Sequence, residues 1–267
     1  MSTQETPFPD LPNIGIKFPH SPITVAAFAY SKEHTSEMTY NHCVRSAYWA
    51  LILAKKLPNF ASASASSPPL NLETVVLTNI LHDMGWATTK EILSKDKRFE
   101  VDGANLAHEF IRRYAQEGGE GAEKWKNDRH RVHIIWDAIA LHTTPSFALH
   151  HPAPEVALAH MGIMVDFSGP KFGDGNVITE KEYREVVRYF PLAGFGVEKM
   201  KVTLCGLCRE KPETTYDNIV GQFGLEFGLD GKGGGKEEFR EGMERQDPVK
   251  PMLDGLRYLE ELLAREG

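Results

Sequence analysis

Apolar residues recur along most of this chain at three- and four-residue intervals, the period of a helix rather than of a strand. Over residues 35–57, Val44, Tyr48, Leu51 and Ile52 share a face with Ala47 and Ala54, which predicts one long helix with His42 in its early turns. Val75, Val76, Leu77, Ile80 and Leu81 predict a buried helix that runs into His82-Asp83, with Gly85 as its C-terminal cap. A short helical stretch opens at Ser21-Pro22. Asp102 reads as the N-cap of a helix over about 103–116 that carries His108. Ile135, Ala138, Ile139 and His142 share a face over 125–141. Val156, Ala159 and Ile163 do so over 155–165, and Asp166 continues their stripe. Thr179-Glu-Lys-Glu182 has the form of a capping box and opens a further helix. Helices are also predicted over 197–208 and 214–223. A last, amphipathic one over 251–265 has Leu253, Leu256, Leu259 and Leu263 at helical spacing, and is expected to dock on the body or on a neighbouring subunit. No alternation is long enough for a strand, so the fold class is all-α.

Pro7, Pro9, Pro12 and Pro19 keep residues 1–20 out of regular helix and predict an extended arm. Residues 60–70 form a Ser/Ala/Pro loop, and the glycines over 228–235 a flexible connector. The expected organisation is therefore the arm (1–20), a catalytic domain (21–224) and a connector with the amphipathic helix (225–267).

Composition narrows the function. The chain has 267 residues, 41% of them hydrophobic, enough for a sizeable core. Its 30 Lys and Arg against 37 Asp and Glu leave a formal charge of −7, which argues against nucleic acid as a partner. No apolar run reaches membrane-spanning length, and the polar residues 1–10 are not expected to act as a signal peptide. Cys43, Cys205 and Cys208 make no disulfide framework, so a reduced, cytoplasmic setting is expected. Cys205-Gly-Leu-Cys208 has redox or zinc spacing but no second pair to complete a structural zinc site.

An imidazole and a carboxylate side by side at a buried helix end need a reason. A buried carboxylate without a partner is costly, and a bound cation removes the cost. His42, His82-Asp83 and Asp166 come from three predicted helices, each on or near an inward face, and helices of a bundle can converge such groups on one ion. Two imidazoles and two carboxylates suit one divalent transition metal, zinc first, with iron or manganese as alternatives.

This order of residues resembles the HD-domain metal-dependent hydrolase superfamily, whose pattern is a His, then His-Asp, then a distal Asp. Five local words are similar to those of its cyanamide hydratases: Thr39-Tyr-Asn-His42, Leu81-His-Asp-Met-Gly85, Arg98-Phe-Glu-Val-Asp-Gly-Ala104, Ala140-Leu-His-Thr-Thr144 and Lys211-Pro-Glu-Thr-Thr-Tyr-Asp217. The resemblance covers roughly residues 18 to 224 and implies an HD-domain helical bundle. It implies metal ligation by His42, His82, Asp83 and Asp166, and hydration of cyanamide to urea by attack of a metal-bound hydroxide on the nitrile carbon. Asp83, His108 and His142 are the candidates for moving the proton. Tyr40, Asn41, Trp86 and Phe99 are candidate walls of a small pocket.

Two other classes compete. A nucleotide phosphohydrolase needs cations at the metal, and only Arg45 and Lys90 lie close to the motifs in sequence. A non-catalytic binding protein would keep its metal as a structural pin. Of the other histidines, His133, His150, His151 and His160 read as structural or exposed, and Trp49 and Trp136 as core. A homo-oligomer is compatible with the amphipathic last helix.

Overall fold

The structure is a computed structural model that describes residues 7–63, 69–173, 177–246 and 248–265. The first six residues of the arm, the middle of the Ser/Ala/Pro loop (64–68), residues 174–176, Asp247 and the last two residues lie outside the described set. Among the described residues the regular structure is helical throughout, with no strand and one isolated bridge between Leu11 and Ile16.

Chain contacts divide the protein into two units, Met1–Gly196 and Val197–Gly267. The division falls at the Pro191-to-Gly196 loop, whereas the sequence reading puts its boundary at 224/225. In the first unit the helices are α1 (Pro22–His34), α2 (Glu37–Lys56), α3 (Pro58–Ala63), α4 (Leu72–Leu81), α5 (Phe99–Glu117), α6 (Glu123–Lys126), α7 (Arg129–Ala140), α8 (Pro145–Ala148), α9 (Pro154–Ser168) and α10 (Glu180–Tyr189). α2 is the spine. It is buried over most of its length and packs on α4 and α9. Gly162 allows the α2–α9 crossing, because a Cβ there would stand 2.7 Å from the Ser46 carbonyl oxygen and 2.8 Å from the Ala50 Cβ. That close crossing sets Asp166 of α9 against the His42 end of α2.

Local chemistry explains the helix starts. Ser21 and Thr179 form reciprocal capping boxes, and Ser36, Asn71 and Asp128 each accept a first-turn amide proton. Two local expectations change. The helix expected to start at Asp102 starts at Phe99, so Asp102 lies buried within its first turn, where its Oδ1 accepts from the Ser94 amide at 3.4 Å. α4 ends at Leu81 and tightens into a 3-10 turn, His82–Trp86, so Gly85 caps no α-helix. Glycine is required there for space, since a Cβ would lie 1.9 Å from the Phe99 carbonyl oxygen. The described part of the arm, residues 7–20, packs closely: Phe8, Leu11, Ile16 and Phe18 are buried, and the Tyr48 hydroxyl donates to the Pro9 carbonyl at 2.7 Å.

The second unit holds α11 (Val197–Glu210), α12 (Ile219–Phe227), α13 (Lys236–Arg245) and α14 (Val249–Ala264). Its small core contains Leu204, Cys205, Cys208, Val220 and Phe239. Within the glycine connector the chain turns at Gly228, Gly231, Gly233 and Gly235, all at positive φ, and then forms α13, which the apolar period did not reveal.

Candidate metal centre

Three segments supply the chemistry. α2 carries His42, with Arg45 and Trp49 one and two turns further along the same side. The 3-10 turn after α4 supplies His82 and Asp83. Neighbours on a regular helix do not face one point, but Asp83 leaves helical geometry (φ −98°, ψ 22°), and both side chains converge. His142 follows the C-terminus of α7.

His42, His82 and Asp83 are fully buried and bring one nitrogen or oxygen each within 4.8 Å of one another. Asp83 Oδ2 stands 3.2 Å from His82 Nε2 and 3.6 Å from His42 Nε2. Ligands at about 2.1 Å from a divalent zinc-like ion stand about 3.0–3.5 Å apart in tetrahedral or octahedral arrangement, so these spacings fit one ion. The other Asp83 oxygen, Oδ1, faces His142 Nε2 at 3.7 Å.

All three imidazoles are oriented from behind. His42 Nδ1 donates to Asp166 Oδ2 at 2.7 Å, His82 Nδ1 to the Asn79 carbonyl at 2.8 Å and His142 Nδ1 to the Ile139 carbonyl at 2.6 Å. Each Nε2 is thereby turned toward Asp83, the orientation that hydrogen bonds from behind give to metal-binding histidines. Meanwhile His82 Nε2 and both Asp83 oxygens are buried with no hydrogen-bond partner. A core carboxylate that faces only imidazole nitrogens, at 3.2–3.7 Å, without a hydrogen bond from any of them, keeps a desolvation cost on the order of several kcal/mol that a cation would offset. The donor set therefore fits a divalent metal ion.

Asp166 is placed differently from the sequence expectation. It sits behind His42 and not with the other three. Its Oδ2 accepts from His42 and from Arg45 Nη2 at 2.7 Å, and its Oδ1 accepts from Arg45 Nε at 2.8 Å and Trp49 Nε1 at 2.7 Å. A carboxylate has about four lone-pair sites, and all are engaged, so none is left for an ion. Burial alone would raise its pKa, but the hydrogen bonds from His42 and Arg45 win and hold it well below the usual carboxylate range. Burial pushes His142 down to about 4, with His82 adding to the shift, so this imidazole is neutral at neutral pH.

The other expected site residues separate. Phe99 and Trp86 stack on each other at 5.3 Å, and the Phe99 ring meets His142 edge-on at 5.5 Å, so both flank the centre. The Trp86 indole nitrogen is buried without a partner. Tyr40 lies two residues from His42, on the opposite side of α2, and packs edge-on against Phe28 at 5.3 Å. Asn41 holds the Pro191 carbonyl at 2.9 Å. His108 is exposed on α5 and lines a separate surface groove. Neither Tyr40 nor His108 joins the centre, because helical spacing turns each of them to another face.

Several roles at the site escaped the sequence reading. Arg45 donates to the Phe190 and Pro191 carbonyls at 3.2 and 2.8 Å as well as to Asp166. Those bonds pin the loop whose Phe195 ring stacks on His42 at 4.6 Å. Glu100, fully buried, accepts the Thr143 hydroxyl at 2.5 Å and pairs with Arg98 at 3.1 Å. The spacing of Arg45 and Trp49 from His42 was a usable signal for a shared face. The Phe195 and Thr143 contacts link distant segments and left none.

No curated protein matches the chain in sequence. Residues 39–160 match the family model of the HD domain. That span takes in His42, His82, Asp83 and His142 and stops short of Asp166. The chain carries an HD domain over residues 39–160, with a buried His42–His82–Asp83 group consistent with the divalent metal site typical of such domains.

Proposed function

We propose that this HD-domain protein is a metal-dependent hydratase that converts cyanamide and water to urea. The observation that carries the reading is the state of Arg45. It is the cation closest to the ligands in sequence, and its donors are committed to Asp166, Phe190 and Pro191. A phosphohydrolase needs cationic donors free to hold phosphate. Instead, the rings of Phe99 and Phe195 lie on His142 and His42. Such walls suit a small uncharged substrate. The words that resemble cyanamide hydratases point to cyanamide within that class.

His42 Nε2, His82 Nε2 and Asp83 Oδ2 would hold the ion. A bound divalent cation acidifies water toward neutral pH and so supplies the nucleophile. The remaining work falls to the chain. Asp83 Oδ1, with no hydrogen-bond donor of its own, takes the proton as water adds to the nitrile carbon. A carbon–oxygen bond forms and one carbon–nitrogen π bond becomes a lone pair on nitrogen. That nitrogen takes the proton back, with neutral His142 Nε2 beside Asp83 Oδ1 as the relay. The product is isourea, which tautomerises to urea. One cyanamide and one water account for every atom, without oxidant or reductant.

The test is urea formation by purified protein of measured metal content, with and without a chelator, beside a panel of nitriles, isocyanides and nucleotides. Metal-dependent urea formation supports the reading. Metal-loaded protein that makes no urea but releases phosphate from a nucleotide overturns it.

A further inference from the structure

A cavity of about 410 Å³ opens between α5, α6 and α7, and His108 and His133 face it from opposite helices. Its volume lies within the range of small-molecule sites, about 300–1,000 Å³. The floor is apolar: Ile111, Ala115, Trp125 and Val132 are all buried. The rim is cationic, with Arg112, Lys126 and Arg129, and among the described residues no carboxylate side chain lines it.

The parts are held in place before any ligand arrives. Arg131 lies over the Trp125 ring with its guanidinium carbon 4.0 Å from the centroid, and its Nε donates to the Thr74 hydroxyl at 2.6 Å. The indole is thus fixed as a wall. Arg112 is clamped by Glu109 at 2.7 and 2.6 Å and by Gln116 at 2.8 Å. Lys126 is paired with Glu123. Arg129 makes no such pair among the described residues, so its charge stands uncompensated at the rim, in the first turn of α7 where the helix dipole is also positive.

We propose that this groove binds a small organic anion: an aromatic or short aliphatic body seated on Trp125, Ile111 and Val132, with one carboxylate or phosphate group on Arg129. An apolar floor without the cationic rim would favour a neutral molecule. The rim without the floor would be ordinary solvated surface. The site lies apart from the metal centre, since Arg129 opens the helix at whose far end His142 sits, about 20 Å away along the axis.

Calorimetric titration of the full, metal-loaded chain with 3-phenylpropionate, phenyl phosphate and the neutral 3-phenylpropanol tests this. Both anions are expected to bind at least tenfold more tightly than the alcohol, and the tighter of the two identifies the head group. Arg129→Gln should weaken anion binding at least tenfold with an unchanged melting temperature, because the side chain holds no partner among the described residues. His82→Ala should leave binding intact, which separates this groove from the metal centre and from the hydratase reading. No binding of either anion at millimolar concentration, equal binding of the alcohol, unchanged affinity in Arg129→Gln, or loss of binding in His82→Ala would each overturn the proposal.

Discussion

Asp166 serves the metal centre through His42: its Oδ2 accepts the Nδ1 proton at 2.7 Å, while the facing Nε2 points to Asp83. The same carboxylate neutralises the fully buried Arg45 through two bonds. One group thus orients a metal-binding imidazole and keeps a buried guanidinium paired.

Asp166→Asn should therefore weaken metal binding without abolishing it. Losing such a support lowers affinity about 10- to 100-fold, while stoichiometry at saturating metal stays near one ion per chain. The variant also leaves Arg45 without its counter-charge. Breaking a buried pair from one side costs about 3–5 kcal/mol. Metal titration and chemical denaturation measure the two effects separately. Complete loss of metal in a folded variant would make Asp166 a direct ligand after all.

His82→Ala should behave differently. Its Nε2 is one of three converging ligand atoms, and the neighbours Leu81, Met84 and Leu77 are apolar and buried. Removing it leaves two of the three converging ligand atoms, with His142 Nε2 turned to the other Asp83 oxygen. Elemental analysis of the purified variant should show most of the metal gone. Undiminished metal would remove His82 from the centre.

Much of this was legible because the signals were local. The 3.6-residue period gave α2, α4, α7 and α9, and the Thr179 capping box formed as the sequence reading expects. His82-Asp83 announced itself as charge at the end of an apolar run. What the sequence could not show were contacts that close over long distances. The apolar stripe through Val156 and Ile163 says that Asp166 faces inward, but not that it meets Arg45 and Trp49 across the α2–α9 crossing. Gly85 looked like a cap because glycine often is one. Its actual constraint is the Phe99 carbonyl, fourteen positions along the chain. Asp102 has the chemistry of a cap, yet α5 gains an extra turn because Phe99 and Glu100 are buried against the 3-10 turn.

Acid should weaken the fold partly through His160. Burial lowers its pKa, and its Nδ1 donates to the His142 carbonyl at 2.6 Å. A folded pKa below the unfolded value of about 6.5 means the unfolded chain takes up the proton first. The stability this group contributes is therefore complete above about pH 6.5. It declines as pH falls from there toward the depressed folded value. His160→Asn can keep a donor to that carbonyl and cannot titrate. Its unfolding free energy should fall less steeply as pH drops below about 6.5. An identical slope in both proteins would mean that His160 does not titrate on unfolding.

Cys205 and Cys208 belong to the core of the second unit. Their thiols point at the Phe223 and Val220 carbonyls, at 3.7 and 3.3 Å. Burial pushes the Cys208 thiol up to about 11, so it is not a thiolate ready for metal or redox chemistry. The double change Cys205→Ser, Cys208→Ser should leave metal content and turnover nearly as they are. It should cost about 1–3 kcal/mol of stability through burial of hydroxyls in an apolar site. Loss of metal in this variant would place the centre elsewhere.

His142 separates metal binding from proton transfer. Its Nε2 stands 3.7 Å from Asp83 Oδ1, the oxygen turned away from His42 and His82. On the proposed reading an ion would be held without it, by His42, His82 and Asp83 Oδ2. At neutral pH the ring is uncharged, because burial has pushed it down to about 4, and a neutral imidazole can accept a proton from Asp83 and return it. His142→Ala should therefore keep about one metal ion per chain and lose turnover by roughly 10²- to 10⁴-fold, the usual share of a general acid–base group. His142→Asn can keep a donor for the Ile139 carbonyl but not a relay, so it should recover stability and not rate. The readouts are elemental analysis, thermal unfolding and urea release from cyanamide. Metal lost together with activity in a folded His142→Ala would make this residue a ligand, and the proton would then have to travel by Asp83 alone.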